Sequence, residues 1–271
     1  MMAVTPGSQP TERFTGLAEI YARCRPSYPV AAIDAILSRT NLRPGSVLVD
    51  VGSGTGISSR VFAARGLSVI GIEPNADMRQ QAEAALADLP GPKPVYRAGQ
   101  AEATGLPEAK ADAVLAAQAF HWFEPAAALT EFHRIVRPGG WVILMWNERD
   151  PSDPFTAAYG ALIRSAPEAA AIEVPRGRAG EVLFTSPLFE GAERQVFVNS
   201  QELDLDALLG RAFSASYAPH SGEAAQLFAA ALQEVFECFE RNGRVVLHYE
   251  TSVYLAHRPA LTSAAATPTA L

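Results

Sequence analysis

Residues 47–56 read VLVDVGSGTG. Val47, Leu48, Val49 and Val51 form a short apolar run around one acid, Asp50, and the run ends in Gly52-Ser53-Gly54-Thr55-Gly56. A run of this length, bounded by glycine, reads as a strand buried on both faces, as parallel strands are. LSVIGI (67–72), DAVLAA (112–117) and WVILMW (141–146) read the same way, and VYRA (95–98) gives a fainter strand signal. Helix-period segments lie between them. Residues 75–87 start at a capping residue, Asn75, and put Met78, Ala82, Ala85 and Leu86 on one face. Residues 125–136 do the same with Leu129, Phe132, Ile135 and Val136, behind Pro125 at the first helical position. RPGS (43–46) and RPGG (137–140) read as helix-to-strand turns. Strands and helices alternating through short connections predict a doubly wound, mostly parallel α/β sheet.

Beyond residue 147 the pattern changes. The polar stretch NERDPSDP leads through a helical segment to AERQVFVNS (192–200). An amphipathic helix follows at 223–239, with Leu227, Phe228, Ala231, Leu232, Val235, Phe236 and Phe239 on its inner face. In RVVLHYETSVYLAH (244–257), Val245, Leu247, Tyr249, Val253 and Leu255 alternate with His248, Glu250, Ser252 and Tyr254. That alternation fits a half-exposed strand in an antiparallel pair closing one edge of the sheet. The reading is one domain over 1–258, with a segment at 1–28 ahead of the first strand, insertions at 150–240 and a flexible tail at 259–271.

Composition sets limits on function. Apolar residues make up 48% of 271, with no run long enough to span a membrane. MMAVTPGSQP (1–10) has no charged region followed by an apolar stretch, so no secretory signal is expected there. Cys24 and Cys238 supply neither a disulfide framework nor metal-ligand spacing, so the expectation is a cytoplasmic protein without a metal. Twenty-two basic residues against 29 acidic ones give a net charge of −7, which argues against a nucleic-acid or anionic-membrane partner.

A glycine-rich turn after the first strand is where a doubly wound sheet holds its ligand. The dinucleotide fingerprint puts glycines at its first, third and sixth positions. Here they stand first, third and fifth, and Ile57 is sixth. Asp50, two residues before the first glycine, would repel a phosphate and suits a ligand with an ammonium and a sulfonium. Glu73, at the end of the second strand, can accept both hydroxyls of a ribose.

VLVDVGSGTG with IEPN (72–75) resembles the class I S-adenosylmethionine (SAM) dependent methyltransferases, of the type 11-like kind. RFTGLAEIYARCRPSYP (13–29), TGLPEAKADAVLAAQAFHWF (104–123), VRPGG (136–140), SASYAP (214–219) and YETSVY (249–254) resemble the branch of trans-aconitate methyltransferase-like proteins. The resemblance implies a Rossmann-like sheet of seven strands with an antiparallel edge and an N-terminal helical lid. It also implies SAM as cofactor. Gly52, Ser53, Gly54, Thr55 and Gly56 would lie against its methionine portion. Asp50 would orient its amino group, directly or through water, and Glu73, with Pro74 beside it, would bind the ribose. Adenine is usually read by an acid after the third strand; this chain offers Gln100, then Ala101 and Glu102. Gln118 would sit near the transferred methyl. Tyr21 and Arg25 would close over the cofactor, Arg25 toward its carboxylate.

His121 is the candidate base, at the carboxyl edge of the sheet, or else a brace for the cofactor loop. His220 is a second candidate base or a loop histidine. Phe14 and Trp122 could favour the sulfonium through their ring faces. Trp146, Asn147, Ser216 and Tyr217 are candidates for the acceptor pocket, and Ser214 and Arg149 border it. The expected activity is methyl transfer to a small-molecule acceptor by in-line displacement, in a monomer or homodimer. Two alternatives stand beside it. One is a SAM-binding protein doing non-methylating chemistry. The other, a nicotinamide-dependent oxidoreductase, departs on glycine spacing and on Asp50.

Overall fold

The apolar runs around the glycine turn form the centre of a seven-stranded sheet. The computed structural model describes residues 15–87, 89–166, 169 and 178–260. Its strands are β1 (Val47–Val51), β2 (Ser68–Ile72), β3 (Val95–Arg97), β4 (Ala111–Ala117), β5 (Val136–Arg149), β6 (Glu190–Leu203) and β7 (Val245–His257). The helices are α1 (Ala18–Cys24), α2 (Val30–Thr40), α3 (Ile57–Ala63), α4 (Ala76–Ala84), α5 (Pro125–Ile135), α6 (Pro154–Arg164), the single turn α7 (Val182–Thr185), α8 (Leu205–Phe213) and α9 (Gly222–Phe239).

The strand order is β3-β2-β1-β4-β5-β7-β6. The first five strands are parallel, and β7 runs antiparallel to both neighbours. The chain winds outward from β1 through β2 and β3, then returns to β4 on the other side of β1. The order therefore reverses between β1 and β4, and a crevice opens at their carboxyl ends, where such sheets hold ligands. The Rossmann-like α/β sheet with its antiparallel edge is as expected.

Two apolar layers cover the sheet. On one face Leu129, Phe132 and Ile135 of α5 pack with Trp146 and Tyr254. On the other, Ile33 and Ile36 of α2 and Phe62 of α3 pack with Leu48, Leu115 and Ile143. Each such fully buried side chain stabilises the fold by about 2 kcal/mol. A third cluster lies beyond the edge, where α6, α8 and α9 meet the start of β7 through Phe155, Tyr159, Leu208, Phe228, Leu232 and Tyr249. Caps set the helix starts. Asn75 accepts from Met78 N at 3.1 Å. Glu124 accepts from Ala127 N at 2.8 Å, ahead of Pro125. Each cap is worth about 1 kcal/mol.

Several local expectations change. RPGG is no turn between elements: Ala111 pairs with Val136 and Ala113 with Trp141, so 137–140 bulge out of the β4–β5 ladder. Helix α4 stops at Ala84, leaving Ala85 and Leu86 in the turn, and Val136 opens β5 rather than closing α5. On α9 only Phe228, Leu232 and Phe236 are buried; Leu227 is 63% exposed. The alternation of β7 holds to Glu250, after which Thr251–Ala256 are buried on both faces, Ser252 and Tyr254 included. The reason is that both apolar layers cover this part of the strand: Tyr254 and Ala256 belong to one and Val253 and Leu255 to the other. AERQVFVNS belongs to β6, the edge strand of the sheet, so the residues after 150 are additions on either side of a sheet strand.

Candidate functional site

At the switch point a cavity of about 260 Å³ opens over the glycine turn. Gly52, Gly54 and Gly56 have φ of +70°, +54° and +74°, in the left-handed region that a side chain disfavours. Each glycine also has its own steric reason. A Cβ on Gly52 would stand 2.5 Å from Ala119 Cβ, and one on Gly56 would meet the Tyr96 hydroxyl. A Cβ on Gly54 would meet nothing within 4 Å, so the turn is open to a ligand there.

Two acids flank the turn. Glu73 is buried, and its Oε2 accepts from Gly54 N at 3.0 Å while Oε1 accepts from Asn75 N at 2.9 Å. Burial pushes its carboxyl above the usual range, opposed by the amides of Asn75 and Gly54 and by the Arg79 charge. Each oxygen keeps a lone pair for a further donor. Asp50 is fully buried, and its Oδ2 accepts from Ser58 Oγ at 2.7 Å and Ser59 Oγ at 2.6 Å. Its Oδ1 has no partner among the described residues, nor have Ser53 Oγ and Thr55 Oγ1. Burial raises the Asp50 carboxyl to about 6; the serine hydroxyls oppose that rise and the Glu73 charge adds to it. Tyr96, from β3, packs over Gly56 and Gly71 beneath the turn, and burial pushes its phenol up to about 12.

Of the residues read from the sequence, Tyr21, Gly52, Ser53, Gly54, Thr55, Glu73, Pro74, Gln100, Ala101, Glu102, Gln118 and Trp122 line the cavity. Glu102 also caps the entry to α5, accepting from Glu124 N at 2.8 Å. Gln118 holds φ +57° without being glycine; its Nε2 donates to Asn147 O at 3.3 Å and its N to Met145 O at 2.8 Å.

Other assignments move. Asp50 and Gly56 are not in the lining: Ser58, which is, stands between the Asp50 carboxylate and the cavity. Arg25 is turned to α8, donating from Nε to Ser214 Oγ at 2.9 Å and from Nη2 to Ser214 O at 3.0 Å, with its guanidinium 4.5 Å from the Tyr21 ring centre. His121 lies outside the lining and accepts at Nδ1 from Trp146 Nε1 at 3.3 Å. That bond occupies the lone pair a general base would use and puts the proton of the neutral ring on Nε2. Trp146 is a core residue under His121, stacked edge-on to Tyr254, and not a pocket wall. Asn147 is buried as a junction: Nδ2 donates to Ser27 O at 3.1 Å, and Oδ1 accepts from Thr251 Oγ1 at 2.6 Å and Asn199 Nδ2 at 3.2 Å. Ser216 and Tyr217 follow α8, away from the lining; Ser216 is buried and Tyr217 packs against the third cluster. His220 is half-buried, with no partner for Nε2 among the described residues; burial holds its pKa below the usual range, opposed by its bond to the Ala215 backbone. Phe14 falls outside the described residues, as do residues 1–13 of the expected lid and 261–271 of the expected tail.

The N-terminal segment spans the cavity from one side to the other. Gly16 N donates to Asp77 Oδ2 at 3.1 Å and Thr15 Oγ1 accepts from Asn75 Nδ2 at 3.0 Å, which ties it to α4. Gln201 Nε2 donates to Cys24 O at 2.9 Å, and Asn199 Nδ2 to Ser27 O at 2.9 Å, which ties it to β6. Tyr28, Ile57, Ser58, Met78 and Phe123 line the cavity without having been singled out. Ile57 and Ser58 were findable, being the first turn of the helix behind the glycines. Among the described residues no group of three or more His, Cys, Asp or Glu is placed to hold a metal, and no helix is long and apolar enough to cross a membrane.

Residues 49–144 match the family model described as "Methyltransferase domain". An uncharacterized methyltransferase of Mycobacterium tuberculosis is 40% identical over 143 residues, 53% of this chain and 55% of that protein. The chain thus spans about half the length of the curated relatives it matches. Among solved structures, a putative methyltransferase from an antibiotic biosynthesis pathway of Anabaena variabilis superposes with TM-score 0.62 at 22% identity, covering 85% of this chain and 98% of that one. Phosphoethanolamine N-methyltransferase 2 of Haemonchus contortus, in complex with S-adenosyl-L-methionine, superposes with TM-score 0.51 at 16% identity, covering 94% and 61%.

Proposed function

Taking as premise that the chain carries a methyltransferase domain of the class I fold, we propose that it binds SAM and transfers the methyl to a small-molecule acceptor by in-line displacement. The observation that carries the reading is the Asp50 Oδ1, buried and without a partner among the described residues, behind an open glycine turn, with the Glu73 carboxylate facing the cavity. A buried oxygen without a donor is costly. Ser53 Oγ and Thr55 Oγ1 share the condition, and both residues line the cavity. The donor set suits SAM: an ammonium for the Asp50 side and two ribose hydroxyls for the free lone pairs of Glu73. A dinucleotide would bring phosphates against two carboxylates.

When bound, SAM supplies a methyl on a sulfonium, a good leaving group. The protein's part is alignment and exclusion of water. Glu73 orients the ribose, and Asp50 acts on the ammonium through Ser58 or a water. Gln100 offers its side-chain carbonyl to an adenine amino group. Gln118, fixed by its two bonds to β5, borders the reacting centre with Trp122, whose ring face favours a cation. Tyr21 and Tyr28 close the cavity from the N-terminal segment. His121 braces this edge through Trp146. An ionised acceptor needs no base, whereas a neutral hydroxyl or amine acceptor would need one.

The test is calorimetric titration with SAM, S-adenosylhomocysteine and NADH, alongside Asp50→Ala. Binding of the two sulfur ligands, weakened in the variant, supports the reading. Binding of NADH alone overturns it.

A further inference from the structure

The sheet ends in a long strand that, among the described residues, is paired on one side only. β6 stands last in the strand order, against β7. Its register slips between Glu190 and Glu193 and then runs unbroken from Glu193 to Leu203, about 35 Å of edge. Two bonds fix which backbone groups face outward. Ser200 N donates to Asn199 Oδ1 at 2.9 Å. The carbonyl of His248, opposite Ser200 on β7, is turned away from β6 to accept from Asp150 N at 3.0 Å. Ser200 therefore points its N–H and C=O outward, and since these directions alternate along a strand, so do Arg194, Val196, Val198 and Glu202.

Natural proteins blunt such edges with charge, proline or a bulge. Here the bulge and the charges sit at the ends of the run, and QVFVNSQ (195–201) between them carries none. Val198 is 88% exposed and Val196 46%. The run is also complementary to itself. A two-fold axis makes residue i of one copy meet j of the other, and j meet i. An axis at Val198, the midpoint of 193–203, sets Val198 opposite the partner's Val198 and Val196 opposite the partner's Ser200. It sets Arg194 opposite the partner's Glu202, twice over. All of these residues point their backbone outward, so each pair can exchange two backbone bonds. No other axis puts Arg194 against Glu202, because their midpoint is 198. Both charges are at the surface: Arg194 is half-exposed and bonds Ser252 Oγ at 2.9 Å, and Glu202 is exposed, 3.8 Å from Arg244.

We propose that the chain forms a two-fold dimer by antiparallel pairing of β6 with β6 of a second copy, centred on Val198, so that the two seven-stranded sheets become one. The dimer does not depend on the methyl-transfer reading, but it reaches the same cavity. Asn199 and Gln201, on this strand, hold the N-terminal segment by the carbonyls of Ser27 and Cys24. A second copy along β6 steadies the strand from which the cavity's cover hangs.

The test is sedimentation velocity of the full chain, at concentrations bracketing the Kd of about 10 µM expected of an interface under about 1,200 Å². A monomer–dimer equilibrium is expected, with amide exchange at 194–202 slowing as the dimer fills. Val198→Lys sets like charges face to face on the axis and should raise the dimer Kd about tenfold. Its side chain is exposed, so the Tm should not change. Arg194→Glu and Glu202→Arg should each raise the Kd about tenfold, since each opposes like charges twice. The two together restore the match and should return the Kd to within about threefold of the wild type. Val198→Lys keeps the test decisive if Arg194→Glu, which loses the bond to Ser252, loosens the fold. A monomer at every concentration overturns the dimer, as does a dimer that Val198→Lys leaves unchanged. A double variant no tighter than the single ones, or assembly that continues past two copies, overturns it as well.

Discussion

Asp50→Asn should make the ligand-free protein more stable and a poorer binder of SAM. The Asp50 carboxyl titrates at about 6 in the fold against an ordinary 3.8. The folded state thus holds its proton more tightly than the unfolded chain, so stability falls as pH rises between these values, and the penalty is complete above pH 6. Two pH units at about 1.4 kcal/mol each make that penalty about 3 kcal/mol. Asparagine keeps the shape, and its side-chain oxygen can still accept from Ser58 and Ser59. The value of about 6 already includes those serine bonds. The variant should therefore exceed the wild type at pH 8 by about 3 kcal/mol, read as a rise in Tm of about 8 °C for a domain of this size. Below pH 4 the advantage should vanish. Urea unfolding of both proteins from pH 4 to pH 8 measures this directly. SAM affinity should fall about tenfold, equivalent to about 1.4 kcal/mol. A stability difference that does not change with pH, or a variant weaker than wild type at pH 8, refutes the account of Asp50 as a charge buried for a ligand's sake.

Gly54→Ala should cost about 1–2 kcal/mol, the strain of a left-handed alanine, yet reduce S-adenosylhomocysteine binding at least tenfold, because its methyl enters open cavity. Gly52→Ala should unfold far more readily in urea, by about 3 kcal/mol or more, since its Cβ meets Ala119 and Phe123. Asn147→Ala removes the junction between Ser27, Thr251 and Asn199 and should lower stability by about 2–4 kcal/mol, with hydrogen exchange rising first at 25–29. His121→Ala should slow turnover less than tenfold and leave the pH profile unchanged. A thousandfold loss with the basic limb abolished would instead put its imidazole in proton transfer.

The centre of the sheet was legible because a strand buried on both faces has to be apolar along its length, as VLVDV and DAVLAA are. The glycine turn was legible because few other arrangements need glycine at three alternate positions. What escaped depended on side-chain direction or on distant partners. Asp50 sits behind the lining because its side chain points down between Ser58 and Ser59, which requires knowing the phase of α3 against β1. Asn147 reads as one more polar residue at a strand end until Ser27, 120 positions away, is placed beside it. Leu227 matched the apolar stripe of its helix but overhangs the cluster that buries Phe228. Arg211 is buried on α8 yet gives no sequence signal, since nothing local distinguishes a buried arginine from an exposed one.

The N-terminal segment is gripped at Cys24 and Ser27 through backbone carbonyls, by the amide side chains of Asn147, Asn199 and Gln201. A clamp of that kind is blind to what it holds, because every residue carries the same carbonyl. The covering strap can exchange its side chains from one descendant protein to the next without losing its path, whereas the three amides that hold it cannot change. Variation is thereby channelled onto the covering side of the cavity, and the sheet and glycine turn beneath it are left undisturbed.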